Sequence, residues 1–147
     1  MTPRMEHALV LFLILMFLLP VGMIIFVSGE VPFRLVSGEP LREAAQTAGI
    51  TITSVKDTTW NLSGAVGGKT YTLTDRAGNT ATISVQAFDS PASRDAAIRL
   101  YNSHPLGRGR PVGSLIVVGQ YLVYTTPAGS PILREIAPEL QKKNIIP

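Results

Sequence analysis

Hydrophobic residues follow two regimes along this chain. From Ala8 to Val27 the sequence reads ALVLFLILMFLLPVGMIIFV, twenty consecutive residues without a charge, an amide or a hydroxyl. At about 1.5 Å rise per residue, a run of that length crosses a hydrocarbon layer about 30 Å thick. It exceeds the roughly 7–15 apolar residues of a cleaved export signal, and the charge ahead of it is slight, so it reads as an uncleaved signal-anchor. Val27-Ser28-Gly29 before Glu30 is the competing reading, a peptidase site. Beyond residue 28 the apolar positions are short and periodic and are separated by Gly, Pro, Ser and Thr, the pattern of a water-facing domain.

Residues 28–40, SGEVPFRLVSGEP, mix Gly, Pro and charge and read as a connector. Leu41 to Ala48 has helical composition, with Gly49 as its stop. Ile50, Ile52 and Val55 then share one side of a strand, and residues 57–68 form a Thr, Ser and Gly loop holding the single tryptophan, Trp60. Lys69 to Phe88 is the clearest hairpin. Tyr71 and Leu73 alternate with Thr, the turn Asp75 to Asn79 tolerates positive φ, and Ala81, Ile83, Val85 and Ala87 alternate on the return.

Ser90-Pro91 opens a helix, since Ser accepts from orphan amides and Pro has no N–H to lose. Ala97, Leu100 and Tyr101, with Ala96, form its predicted apolar stripe. After a loop from Ser103 to Gly113, Gly119-Gln120 divides SLIVVGQYLVYTT into two strands. Ser130-Pro131 opens the last helix, whose Ile132, Leu133, Ile136, Ala137 and Leu140 lie on one face. Pro138 falls inside it and predicts a kink or a restart. The two Ser-Pro helices align at an offset of 40 residues, Arg94 with Arg134 and Leu100 with Leu140, as in an internal repeat. The order hairpin, helix, hairpin, helix predicts an α+β two-layer sandwich, an antiparallel sheet with two helices on one face, following one N-terminal transmembrane helix. The predicted organisation is a leader at 1–7, the membrane helix at 8–27, the connector at 28–40 and a domain at 41–147.

Composition narrows the function. The chain has 147 residues, 16% of them charged, no Cys, two His and a net charge of +3. That length excludes a multi-domain enzyme or a polytopic transporter. Zero Cys excludes disulfides, thiolate metal sites and Cys nucleophiles. His7 abuts the apolar run and His104 precedes Pro105, so no two-His metal site forms within the domain; a hydrolase built on His104 lacks a G-x-S-x-G elbow. Gly67-Gly68-Lys69-Thr70 resembles the end of a phosphate loop, but the required earlier Gly is Ser63 and the chain continues as a strand. No cofactor is expected. The small positive charge and the lack of an aromatic strand motif argue against nucleic acid.

The most distinctive polar feature is the loop around Arg108 and Arg110, two guanidinium groups suited to an anion or an acidic patch, with Arg94, Arg99 and Arg76 as potential extensions. Val31, Phe33, Leu35, Trp60 and the terminal Ile145-Ile146 propose an apolar contact surface, with Phe33, Leu35 and Trp60 as the candidate partner or membrane contacts. The expectation is a non-catalytic single-pass membrane protein, an accessory subunit whose extracytoplasmic domain docks on other membrane protein subunits and whose anchor lies in the lipid bilayer. The alternative is an extracytoplasmic module that binds an anionic ligand or lipid headgroup.

Overall fold

The computed structural model describes residues 31–102 and 113–145. They form a small α+β domain around one five-stranded antiparallel sheet. Helix α1 covers Pro40–Ala48, strands β1 to β3 cover Thr51–Asp57, Ala65–Thr74 and Thr80–Phe88, and helix α2 covers Pro91–Asn102. Strands β4, Ser114–Val118, and β5, Tyr121–Thr125, lead through a 3-10 turn at Pro127–Gly129 into helix α3, Ser130–Ile145. The sheet order is β1-β2-β3-β5-β4, so the last hairpin docks through its second strand onto β3.

Local chemistry accounts for the boundaries. Pro40 opens α1, and Gly49 closes it in the left-handed conformation at φ 75°. There Ile50 N–H returns to the Ala45 carbonyl at 2.9 Å, satisfying an end carbonyl that a β-carbon at this φ would hinder. Asp75 builds the β2–β3 turn by accepting from the backbone N–H of Ala77 and Asn79 and from the Asn79 amide, at 2.8–3.0 Å. Ser90 Oγ accepts from Ser93 N–H at 3.2 Å, capping α2. Gly119, φ 54°, makes the two-residue β4–β5 turn with a partner of ordinary φ, the arrangement of a hairpin turn whose first central residue must be Gly.

The strand expected from Ile50 is β1, which joins the two hairpins in one sheet as its edge strand beside β2. Ile52 and Val55 are three apart yet lie over Leu73 and Tyr71, because the register slips between Ile52 and Ser54. One extra residue there restores both side chains to the same face. β2 begins at Ala65 rather than Lys69, taking the end of the predicted loop into the sheet through an irregularity between Ala65 and Gly68.

Two apolar clusters sit on opposite faces. On one, Leu41, Ala44 and Ala45 of α1 meet Ile132, Leu133, Ile136 and Leu140 of α3 over Tyr71, Leu73, Ile83, Val85 and Val123. On the other, Ala97 and Ile98 of α2 cover Phe88, Leu115, Val117 and Leu122. The two Ser-Pro helices therefore do not share one face of the sheet, which corrects the two-layer arrangement. β4 and β5 carry apolar residues at odd and even positions because helices cover both of their sides.

The 40-residue repeat does not carry over to packing. Arg94 is buried where Arg134 is exposed, and Leu100 is exposed where Leu140 is buried. The predicted stripe of α2 is turned: Arg94, Ala97 and Ile98 face inward, while Ala96 and Leu100 face out. α3 runs through Pro138 as one helix, without a restart. Pro138 is exposed, so its ring crowds no core neighbour. Among the described residues no helix is long and apolar enough to cross a membrane, and the segment Ala8–Val27 lies outside them.

Candidate functional site

Residues 31–36, ahead of the first helix, are fastened to the domain. Val31 is 3% exposed and belongs to the core cluster beneath α2, so it is a core residue rather than part of a contact surface. Its carbonyl accepts from Arg94 Nη2 at 2.6 Å, and Arg94 Nη1 reaches the Gly119 carbonyl at 2.7 Å. Arg94 is itself only 2% exposed; Asp95, 3.0 Å away, balances its charge at the surface side. Its guanidinium lies over the Phe33 ring at 5.6 Å, a cation–π contact. Arg34 Nη2 donates to the Lys143 carbonyl at 2.5 Å, and the Gln120 amide pairs with both backbone groups of Val36 at 2.7 and 3.0 Å. Residues 31–36 of the predicted connector thus form a strap, held by α2, α3 and the β4–β5 turn. Phe33 is half-buried within it, whereas Leu35 projects outward at 78% exposure.

The α2 face of the sheet also carries a groove of about 410 Å³, walled by Trp60, Leu100, Tyr101 and Tyr124 over Leu115 and Leu122. Trp60 meets Phe88 and Tyr124 edge to face, with centroids 6.4 and 6.5 Å apart, and Tyr124 meets Tyr101 in the same way at 6.2 Å. Such contacts suit aromatic quadrupoles and hold the rings in fixed orientations. The Tyr101 hydroxyl donates to the Gly113 carbonyl, and burial, then the neighbouring Tyr124, raises its pKa.

Gln86 positions the tryptophan. It is wholly buried on β3; its Oε1 accepts from Trp60 N–H, and its Nε2 donates to the Gly67 and Ala87 carbonyls, all at 2.8 Å. A buried amide with these bonds pins an otherwise irregular loop to the sheet. Beside the groove a ladder of hydroxyls, Thr58, Thr70 and Ser84, crosses the strands at 2.8 and 3.4 Å.

Of the sequence-predicted contacts, Trp60 lines the groove, Leu35 is exposed beside the strap, and Phe33 is partly covered by Arg94. Arg108 and Arg110 lie outside the described residues, as do His7, His104 and Ile146. Arg94 cannot extend a surface basic patch, because it is buried. Its signal was present: Arg94, Ala97, Ile98 and Tyr101 have the spacing of one helical face. Gln86 had no such signal, since an amide in an alternating strand reads as solvent-facing. Lys69 and Thr70 lie within β2, not at a helix start, so no phosphate loop forms. Among the described residues, no group of three or more His, Cys, Asp or Glu could hold a metal ion. Comparisons with protein-family models, curated proteins and solved structures found no match to the chain.

Proposed function

We propose that the protein is a non-catalytic, single-pass membrane protein, an accessory subunit whose domain is held at the membrane surface and docks on the membrane-proximal part of another membrane protein. The strap is the observation that supports this reading. Only three residues separate Val27, the end of the twenty-residue apolar run, from Val31 in the core. A long tether would let the domain wander; a strap bonded to α2, α3 and the β4–β5 turn brings the fold to within three residues of the apolar run. The groove of Trp60, Tyr101 and Tyr124 shares a cluster and a sheet face with Val31. Aromatic side chains of this kind are enriched in protein contact surfaces. The partner that fits is an aliphatic, membrane-proximal segment of a second subunit.

Photo-crosslinking in intact membranes tests it. A photoreactive residue at position 60 is expected to join one defined membrane protein that also comigrates with the chain on native electrophoresis, while the same residue at exposed Thr53 on β1 does not. A chain that migrates alone at its monomer mass, with no crosslink specific to position 60, would falsify the subunit reading.

A further inference from the structure

On the sheet face opposite the groove, a cleft of about 340 Å³ opens between the start of α1 and the strands beneath it. Its lining is largely apolar, from Pro40, Val66, Val85 and Ala87 together with Tyr71 and Tyr121. Tyr71 is only 2% exposed, and its hydroxyl has no hydrogen-bond partner among the described residues. Among the described residues no fully buried side-chain oxygen or nitrogen is left unpartnered, so the Tyr71 hydroxyl keeps some solvent contact, and Tyr71 lines the cleft. A phenol enclosed in this way, with its donor unused, is a binding group awaiting an acceptor.

The rim supplies charge. Lys69 Nζ donates to one Glu39 oxygen at 2.8 Å, and Arg42 occupies the other. Both oxygens of Glu39 are therefore matched by cations, and the Lys69 ammonium retains further donors. Both faces of the Glu39 carboxylate are engaged, so the cleft offers no bare anion to a cationic ligand. Burial first, then the Glu39 charge, pushes the pKa of Tyr71 and of Tyr121 upward, which keeps both hydroxyls protonated as donors at neutral pH. Gly67, φ 54°, has open space where a β-carbon would project, leaving that wall of the cleft bare.

We infer that this cleft binds a small organic carboxylate, with its apolar body against the floor and its carboxylate accepting from Tyr71, Tyr121 and Lys69. An inorganic anion would leave the apolar floor uncovered, and a neutral apolar molecule would leave the three donors unmet. The inference is independent of the docking reading, since it concerns the other face of the sheet.

Benzoate is the probe, titrated against the full chain in lipid nanodiscs and followed by saturation-transfer NMR, with benzyl alcohol and benzylammonium as size-matched controls for partition into lipid. Saturable binding is expected for benzoate in preference to both controls. Tyr71→Phe and Lys69→Met should each weaken it about tenfold or more, the loss of one hydrogen bond to a charged group. Trp60→Phe, in the opposite groove, should leave it unchanged, and circular dichroism establishes that each variant is folded. Equal or tighter binding of benzylammonium overturns the assignment. So does benzoate binding that survives Tyr71→Phe and Lys69→Met, or no saturable binding by benzoate or butyrate.

Discussion

Replacing Arg94 by Met keeps a long apolar stem but deletes the guanidinium that serves the Val31 and Gly119 carbonyls. Two acceptors then lie in a site only 2% exposed, without their donor. The expected destabilisation is about 2–6 kcal/mol, at about 1–3 kcal/mol for each buried group left unmet, measurable by urea titration. Arg94→Lys should recover only part of it, because one ammonium cannot span both carbonyls as a planar fork does. Gln86→Leu removes the acceptor of Trp60 N–H and the donor to Gly67. It should cost about 2 kcal/mol or more and shift Trp60 fluorescence to the red as the indole loses its fixed place in the groove. Both residues mark where reading from pattern stops. A polar residue inside a periodic apolar frame is assigned to solvent unless its partners are known, and the partners here are backbone groups distant in sequence.

Two carboxylates also respond to acid. The Asn79 side chain, then its backbone N–H, holds the Asp75 pKa below the usual carboxylate range, and Lys69, then Arg42, does the same for Glu39. For a carboxyl whose folded pKa is depressed, the stabilisation is complete above its unfolded pKa and is lost as pH falls through the folded value. Thermal melts should therefore hold steady from neutrality down to the normal carboxylate range, then decline below it. Asp75→Ala should lower the neutral-pH melting temperature and flatten that acid decline.

Among the elements, α3 carries the plainest internal cost. Pro138 deletes one helical hydrogen bond, to the Arg134 carbonyl, and its ring crowds that same group, a penalty of about 3 kcal/mol in a regular helix interior. Because Pro138 is exposed, Pro138→Ala loses no packing. It should raise stability by about 1–3 kcal/mol, read as a higher melting temperature. The elements themselves were mostly legible: Gly49, the Asp75 turn, Gly119 and the two Ser-Pro starts act through neighbours in sequence. The inward face of α2 and the origin of β2 were not. The first turns on a buried arginine, and the second on Gly68 pairing with Gln86 of β3 and on the Gln86 side chain bonding the Gly67 carbonyl, despite the low strand propensity of glycine.

At the scale of the molecule, strand order was the illegible part. Alternation shows which residues share a face, but not that β5 lies between β3 and β4, nor that α2 takes the face opposite α1 and α3. Those choices depend on contacts between segments far apart in sequence. The strap yields a prediction at this scale. A chain beginning at Val31 and one beginning at Ser37 differ by six residues that a flexible linker would make irrelevant. The shorter chain should melt several degrees lower, because it loses Val31 from the core, the bonds to Arg94 and Gln120, and the bond from Arg34 to Lys143.

The Arg34 bond to Lys143 joins residues 109 positions apart. Asn144 completes the same fastening, its amide donating to the Val117 carbonyl and accepting from Gly119 N–H, both at 2.8 Å. On the ribosome, chains emerge N-terminus first. The Arg34 bond therefore closes only after residue 143 has been released, by which point α2 and every strand of the sheet have already emerged. A chain truncated near its end would carry the whole sheet and still lack its clasp.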